Sequence, residues 1–460
     1  MKNIVFKTKF DECKTLKEIL DKINDTFFEK SSYYLLNLWI LYPLLMMFIT
    51  YRISNVLARN IMYYILIIVG MSGILIGTIY TLKKFYKKEK FNIKKYLPII
   101  FGIVLLIWCI FTSFFSERIS LSLFGEGYRR EGLFTYFLYS GVLLLGIMLK
   151  NKKLLLKTFN NFLFVQIIVA IIALINNSFT YSLMNNQEPY TGIFSQFNHY
   201  GYYLMFGVLL SIFMFLDNNK LYKKILYLII YGLLLYTLIM NDTFGSFLAI
   251  FVTFILIIIY YIFIKKKIKI LIPIISIFIL VSMCTYKYNQ NVVCRNIKGL
   301  LVDLKIVNEV VKETKKVDKK NKNKKLYKIN YIGTTRGTLW RYGFKYIGNS
   351  PIVGKGIEST YYLYPKDNIN QSRPHNILIQ FGIFTGIPGI ILYILFIGSI
   401  LIRNLKKIKI LDNLNIFSLF IVVCYLISSM FGNSMFYTSP YFLIFLGIIC
   451  KNAFYKKELT

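Results

Sequence analysis

The sequence has 460 residues, of which 56% are hydrophobic and only 17% are charged, with a formal net charge of +35. A soluble protein carries about 25% charged residues, so this composition excludes an ordinary water-soluble domain. The positive charge does not indicate nucleic-acid binding, because Lys and Arg stand in short clusters between long apolar segments. Clusters of that kind set the orientation of a membrane protein.

Residues 1–32 are mainly polar and predict a cytoplasmic N-terminal segment. They lack the apolar run of a signal peptide, so we expect the first span to be retained. Residues 15–28 place Leu and Ile at helical spacing, which predicts an amphipathic helix on the membrane surface. A plain lead-in to the first span is the alternative.

The remaining chain contains about twelve apolar segments long enough to cross a bilayer. They lie near residues 33–51, 61–81, 96–115, 132–149, 158–176, 199–216, 225–240, 244–264, 270–286, 376–402, 414–431 and 440–452. The pattern predicts an all-α polytopic membrane protein with nine spans over 33–286. A large extracytoplasmic loop over 287–373 separates spans 9 and 10, and residues 374–460 hold three more spans and a cytoplasmic tail.

Basic residues are concentrated in alternate connections between these spans, and this predicts the orientation of the chain. The connections are residues 83–95, 150–157, 220–224, 265–269 and 403–409. The positive-inside rule places them, and with them both termini, in the cytoplasm. The loop over 287–373 is also rich in Lys and Arg, but long loops are translocated largely regardless of charge.

Two features of the outer loop have simple interpretations. The lysine-rich residues 312–328 predict a solvated, flexible tract, with contact to anionic lipid or glycan as the alternative. Cys284 and Cys294 are the pair that would face outward, although nothing in their spacing requires a disulfide. His199 and His375 belong to separate segments, so we expect no metal site and no cofactor.

Charged and polar groups gather on the predicted outer face, whereas the spans contain almost none. They are Arg118, Glu126, Arg129, Arg130, Glu131, Asn198, His199, Asp242, Arg336, Arg341, Arg373 and His375. A transporter usually carries ionisable groups within its spans. The distribution therefore favours a reaction at the outer membrane surface.

His375 is the first candidate catalytic residue. It follows Arg373 and Pro374 where the outer loop leads into a span, and proline is tolerated in the first turn of a helix. We expect its imidazole at the outer end of that helix, where it can accept a proton near neutral pH. A polar cap at the membrane interface is the alternative.

Arg336 and Trp340 are four residues apart, which predicts that they share one face of a short helix. Trp340 would anchor the helix at the interface and leave Arg336 free to bind a phosphate bidentately. Ordinary aromatic anchoring beside a solvated Arg is the alternative.

Other polar residues are candidates for substrate binding. Arg129 and Arg130 form a charged collar before span 4 that either binds an anion or merely snorkels. Asn198 and His199 open span 6, and we expect His199 to be a satisfied interfacial residue and not a catalyst. The candidate substrate-binding set is Arg129, Arg130, Arg373, Asn198, Trp340 and Arg341.

Three blocks of sequence resemble the O-antigen ligase and O-antigen polymerase family of bacterial membrane glycosyltransferases. They are residues 192–201, residues 336–356, and His375-Asn376 leading to Gly382, Gly386 and Gly389. The number of predicted spans and the late outer loop are also similar to the family. The resemblance covers most of the chain, although each block is loose by itself.

The resemblance implies sugar transfer at the outer face of a bacterial cytoplasmic membrane, from a glycan carried on undecaprenyl diphosphate to a glycan or envelope-polymer acceptor. It implies that His375 is the central catalytic residue and that Arg336 holds the donor diphosphate. Family members often carry Ser-Arg-Gly near the start of span 8, where this chain has Asn241-Asp242-Thr243-Phe244-Gly245-Ser246. Either Arg129, Arg130 or Arg373 replaces the missing Arg, or this chain differs from the family in its donor or its activity.

Two functional alternatives stay open at this point. Ligases and polymerases differ in their acceptor, which the sequence does not identify. A lipid-linked oligosaccharide flippase is the other class of protein with about twelve helices, but it predicts basic residues along an internal cavity and related halves. We find charges at the outer face and no internal repeat.

Overall fold

Helices account for most of the regular structure in a computed structural model of the chain. The structure describes residues 15–52, 55–86, 93–175, 194, 197–241, 243–286, 299, 301–302, 314–316, 326–328, 336–433 and 435–454. Within the outer loop, a short ribbon pairs β1 (Thr314–Lys316) with β2 (Leu326–Lys328) in antiparallel register.

The helices follow one another through short connections for most of the chain. They are α1 (Leu16–Lys22), α2 (Asp25–Arg52), α3 (Asn55–Tyr86), α4 (Ile93–Ser113), α5 (Ile119–Phe124), α6 (Leu133–Met148), α7 (Lys152–Ile175), α8 (Phe197–Asp217), α9 (Leu221–Met240), α10 (Phe244–Ile259), α11 (Ile272–Cys284), α12 (Arg336–Asn349), α13 (Thr360–Lys366), α14 (Ile377–Lys406), α15 (Asn413–Ser429) and α16 (Ser439–Phe454). A π-helical turn, Tyr260–Ile264, extends α10, and a 3₁₀ turn, Ile268–Leu271, leads into α11.

Seven helices among the described residues are long and apolar enough to cross a membrane: α3, α4, α7, α8, α9, α10 with its π-helical turn, and α14. The shorter apolar helices are α6, α11 with its 3₁₀ turn, α15 and α16, and α2 is 28 residues long. Each apolar segment predicted from the sequence overlaps one of these twelve helices. The chain is thus a mainly helical, multi-pass membrane protein, and the count of twelve crossings stays a prediction.

Helix α8 lies at the centre of the bundle and is buried along the whole of its apolar length. It packs against α7, α9, α10 and α15. Aromatic rings fill the space around it: Phe162 stacks on Tyr441 with centroids 4.8 Å apart, and Phe206 stacks on Phe445 at 5.9 Å. The middle of the bundle is therefore packed with large side chains.

Glycines let α3, α6 and α16 approach one another closely. A Cβ atom added at Gly73 of α3 would lie 2.4 Å from the carbonyl oxygen of Gly141 in α6. At Gly146 of α6, the added atom would lie 3.1 Å from the Cα of Gly447 in α16. Small residues at such crossings allow backbone contact, which drives helix association in lipid.

Helix α14 is kinked at Gly386, where φ is +71°, and a proline follows two residues later. The kink leaves carbonyl groups without helical partners, and a tight turn over residues 351–356 satisfies two of them. The amide of Lys355 donates to the Ile383 carbonyl at 2.8 Å. The amide of Gly356 donates to the Phe384 carbonyl at 2.9 Å. The turn is thus attached to the kink.

The last part of the predicted outer loop packs against the half of α14 that precedes the kink. The Tyr364 hydroxyl of α13 donates to the Leu339 carbonyl of α12 at 2.8 Å. Leu339, Tyr364, Ile379 and Ile383 belong to one buried apolar cluster. The cluster fixes α12 and α13 beside the start of α14.

The opposite end of the bundle collects basic groups from several connections, as the charge pattern predicts. The Lys150 ammonium donates to the Tyr80 hydroxyl at 2.6 Å, and Lys451 donates to the Leu149 carbonyl at 3.2 Å. The guanidinium of Arg403 donates to the Lys94 carbonyl. These contacts link the ends of α3 and α16 to the end of α6, and the end of α14 to the start of α4.

At this basic end, the single amphipathic helix expected over residues 15–28 is divided into α1 and the start of α2. The division falls at Ile23 and Asn24. There, Lys83 of α3 donates both to the Ile23 carbonyl, at 2.6 Å, and to the Asp25 carboxylate, at 2.5 Å. Residues 25–32, expected within the polar N-terminal segment, belong to α2.

Several sequence predictions fall on residues outside the described part of the chain. These are Asp242, Cys294, residues 1–14 and most of the lysine-rich tract. Cys109, Cys284, Cys424 and Cys450 have free thiols.

The glycine contacts predict that Gly141→Ala destabilises the protein. An added Cβ would lie 1.9 Å from the Gly70 carbonyl oxygen of α3, whereas nothing lies within 4 Å of a Cβ added at Gly398. Overpacking costs about 1–3 kcal/mol. Thermal unfolding in detergent should show a lower melting temperature for Gly141→Ala and no loss for Gly398→Ala. Equal melting temperatures for the two variants would contradict the proposed backbone contact.

Candidate active site

The loop before α14 carries His375, and its backbone is fixed on both sides. Asn376 caps the helix because its side chain accepts hydrogen bonds from the amides of Leu378 and Ile379 at 3.0 and 3.1 Å. His375 has φ +52°, a left-handed conformation that costs a non-glycine residue about 1–3 kcal/mol. Pro374 suggested that His375 lies in the first turn of the helix. The helix instead begins at Ile377, so His375 precedes it.

Arg336 and Trp340 lie four residues apart in one helix, α12, as their spacing predicts, and each contacts a loop at this end of the bundle. The Trp340 indole N–H donates to the Pro374 carbonyl at 2.9 Å, directly before His375. The Arg336 guanidinium donates to the Phe431 carbonyl at 3.1 Å. Trp340 therefore ties α12 to the His375 loop, and Arg336 reaches the connection between α15 and α16.

The two collar arginines point in different directions. Arg129 lies towards the His375 loop, where its guanidinium donates to the Ser372 carbonyl at 3.4 Å. Arg130 turns towards α3, donates to Asn60 at 2.8 Å and lies over the Tyr63 ring at 4.8 Å. Only Arg129 of this pair joins the residues around His375.

The charges around His375 define the chemistry available to this cluster. Burial and the positive charges of Arg336, Arg129 and Arg373 lower the pKa of His375 to about 3. Its imidazole is therefore neutral at pH 7, and in the free protein it is a weak proton acceptor. Burial and the charge of Arg373 also lower the pKa of Arg129, to about 10, so its guanidinium remains cationic. The cluster offers a neutral base beside cations that suit an anion.

Arg373 lies behind this cluster with two glutamates. Its side chain is 1% exposed and forms an ion pair with Glu358, which is 0% exposed. Glu131 is also buried, and its carboxylate accepts a hydrogen bond from the Tyr139 hydroxyl at 2.5 Å. Burial raises the pKa of Glu131 to about 8, so its side chain is mostly protonated at pH 7.

The start of α8 adds His199 and Asn198 to the same end of the bundle. His199 is 2% exposed, and its ring centroid lies 5.5 Å from that of Tyr437. Its Nδ1 has no hydrogen-bond partner among the described residues. Asn198 is half-buried in the first turn. His199 is thus part of the wall of the site and less accessible than His375.

Arg341, another predicted binding residue, is exposed on α12 and lies over the neighbouring Tyr342 ring at 5.8 Å. The structure does not bring it to His375, and its role stays a prediction. Glu358 was absent from the candidates. The sequence offered one indication of its importance, its place after Gly354 and Gly356, which mark a constrained turn. Its ion-pair partner, Arg373, is 15 residues away in the sequence, so no local pattern joins the two.

Within the described part of the chain, no group of three or more His, Cys, Asp or Glu side chains is arranged to hold a metal ion. The groups at this end that can bind an anion are the guanidinium groups described above. They suit a phosphate or diphosphate.

The fold and the cluster define a multi-pass membrane protein with a basic, histidine-containing site at one end of its helix bundle. Residues 229–394 match the family model described as O-antigen ligase, which confirms the resemblance found in the sequence. The match begins in α9 and ends in α14, and it includes Arg336, Glu358, Arg373 and His375. No match was found among curated proteins.

Residues 229–394 of the chain are thus similar to the O-antigen ligase family. Arg129 and His199 lie outside the matched residues. The structure nevertheless brings both to the same end as His375.

The state of Glu131 predicts how stability depends on pH. Its pKa is about 8 in the folded protein against an ordinary 4.5. Between these values the unfolded chain ionises and the folded chain does not, so folding loses stability as pH rises. Glu131→Gln removes this loss. Thermal unfolding in detergent from about pH 5 to about pH 8 should show the variant gaining on the wild type as pH increases. Parallel curves would contradict this assignment.

Proposed function

We propose that this protein transfers or polymerises a glycan from an undecaprenyl-diphosphate carrier at the outer face of the bacterial cytoplasmic membrane. The observation that carries the proposal is that Arg129 and Arg336 both contact loops around His375. Arg129 donates to the Ser372 carbonyl, and Arg336 donates to the Phe431 carbonyl, one residue after the Met430 carbonyl that Asn376 contacts. This arrangement supplies a proton acceptor and two cations for a diphosphate. The matched family supports the same class of reaction.

The proposed topology has about twelve spans, with both termini in the cytoplasm and the His375 cluster outside. The basic contacts at the ends of α3, α6, α14 and α16 support this orientation, because these helix ends lie opposite the cluster. Residues 287–373 then form the outer loop. A polyprenyl tail in the outer leaflet reaches the cluster without leaving the membrane.

In the proposed reaction, an acceptor hydroxyl attacks the anomeric carbon of the donor sugar. A new glycosidic C–O bond forms, the bond between the sugar and the diphosphate breaks, and the lipid diphosphate leaves with the bonding electrons. His375 takes the proton of the hydroxyl. Arg336 and Arg129 bind the diphosphate and stabilise the charge that develops on it, so most of the catalysis is positioning and electrostatic stabilisation.

Donor binding also prepares the base. In the free protein, burial and then the neighbouring guanidinium charges keep the pKa of His375 far below its usual range. A bound diphosphate places negative charge beside the same guanidinium groups, and this favours the protonated imidazole. Donor binding therefore raises the pKa of His375 and makes proton uptake easier. Arg129 takes the part of the arginine missing from the Asn241-Asp242-Thr243 segment.

A flippase is the competing function. It requires a polar route through the bundle, and the centre here is occupied by the buried helix α8 and the aromatic rings around it. The charged residues of the site lie at one end instead. Transfer chemistry therefore explains the arrangement better than transport. The acceptor, glycan or another envelope polymer, decides between polymerase and ligase.

The proposal predicts that His375→Ala and Arg336→Ala abolish most transfer. Loss of a general base costs about 10²- to 10⁴-fold in rate, and loss of an electrostatic contact costs about 10²- to 10³-fold. Membrane vesicles with lipid-linked glycan would be assayed for bond formation, product length and attachment. Lys345→Ala is the matched control, because Lys345 is an exposed cation on the same helix as Arg336.

Full transfer by both variants would refute the site. If the wild type moved glycan across the membrane without forming a bond, the protein would be a flippase and not a transferase. Elongated product identifies a polymerase, and a single attachment to a second polymer identifies a ligase.

A further inference from the structure

Arg373, Glu358 and Glu131 form a buried group of ionisable side chains directly behind His375. Each is at most 1% exposed. Such residues are rarely buried unless they are paired. The proposed transfer reaction assigns none of them a step, so their burial calls for another explanation.

The central contact is the ion pair between Arg373 and Glu358. The Arg373 guanidinium also lies 5.5 Å from the centroid of the Phe384 ring. Arg373 Nη1 and Glu358 Oε2 have no hydrogen-bond partner among the described residues. The guanidinium is enclosed by protein, and this position keeps it from being a surface contact for substrate.

Glu358 is a rigid anchor for this ion pair. It follows the 351–356 turn that is attached to the α14 kink, and its own φ is +64°. The Ser122 hydroxyl of α5 donates to the Ile357 carbonyl at 2.6 Å, directly before it. A Cβ added at Gly356 would lie 2.5 Å from the Cβ of Ser116. The turn therefore has little freedom to move.

The ion pair with Glu358 restrains Arg373 and with it the backbone of His375. His375 follows two residues later in a strained left-handed conformation. The hydrogen bond from Trp340 to the Pro374 carbonyl holds the same segment from the other side. A strained backbone persists only where its surroundings fix it. The ion pair and the indole together supply that restraint.

Energetics favour a positioning role over simple stabilisation. A buried ion pair contributes little net stability, since both charges lose their hydration, but removing one partner leaves a costly unpaired charge. Glu131, whose pKa is raised to about 8 by burial, is mostly protonated at pH 7. Glu358 is then the anion that compensates Arg373.

We propose that Glu358 is a positioning residue for the transfer reaction, which acts through its ion pair with Arg373 to hold the His375 imidazole beside Arg336 and Arg129. This inference rests on the proposed function. It assigns Arg373 to the support of His375, in place of the direct substrate contact expected from the sequence.

The test compares Glu358→Gln with the double variant Glu358→Gln/Arg373→Met. We expect Glu358→Gln to lower kcat by about tenfold or more, with the KM for the lipid-linked donor within about twofold of the wild type, because substrate contacts are kept. The double variant removes the unpaired charge, so its melting temperature should recover while kcat stays low. Glu117→Gln is the control, because it breaks an exposed ion pair with Lys366.

Recovery of kcat together with stability in the double variant would show a merely structural role and overturn the proposal. A large rise in the donor KM of the double variant would show that Arg373 binds substrate directly. A normal kcat in Glu358→Gln would show that the ion pair is dispensable. Either result would contradict the proposal. His375→Ala is assayed in parallel. Wild-type transfer that depends on His375, with unaffected Glu358 variants, refutes this inference alone, whereas absent wild-type transfer refutes the proposed function.

Discussion

The absence of water in the hydrocarbon core is the constraint on which the rest of this structure depends. Backbone amides and carbonyls must find partners within the protein there, so the chain crosses the membrane as helices. Charged side chains are costly at that depth and collect at the helix ends. The fold therefore separates a packed aromatic interior around α8 from two polar ends with different compositions.

The kink in α14 shows how the same constraint shapes the site. A break in a helix frees carbonyl groups, and the turn over residues 351–356 supplies the amides that satisfy two of them. That attachment places Glu358 next to the loop before α14, where it meets Arg373. The backbone requirement of one helix is thus connected to the placement of His375.

The polar end differs from a typical hydrated surface because its charges are partly enclosed. Arg129 and Arg336 stay close to a neutral imidazole, while Arg373 is compensated by Glu358. In this arrangement, Arg129 and Arg336 are the cations suited to bind an anion. In the proposed reaction, the diphosphate is the leaving group, and these guanidinium charges stabilise it.

Local signals in the sequence predicted much of the fold. Apolar runs of about 20 residues are a strong indicator of spans, and each predicted segment overlaps a helix. The four-residue spacing also placed Arg336 and Trp340 on the same face of α12, where both reach the loops around His375.

Contacts between segments that are far apart in the sequence could not be predicted from its patterns. The collar alone did not show that Arg129 points to the site while Arg130 turns to Asn60, because neighbouring residues leave a loop in directions set by tertiary packing. The Glu358 ion pair depends on a turn that is fixed by α5 and by the kink in α14. Periodicity carries no information about either contact.

The most direct test of the account is a cryo-electron microscopy structure of the chain with an undecaprenyl-diphosphate-linked glycan in a lipid nanodisc. The account predicts the diphosphate in contact with Arg336 and Arg129, with the sugar facing His375 and the polyprenyl chain extending into the outer leaflet. A diphosphate bound at the opposite, lysine-rich end, or held by Arg130 or Arg341 away from His375, would contradict it.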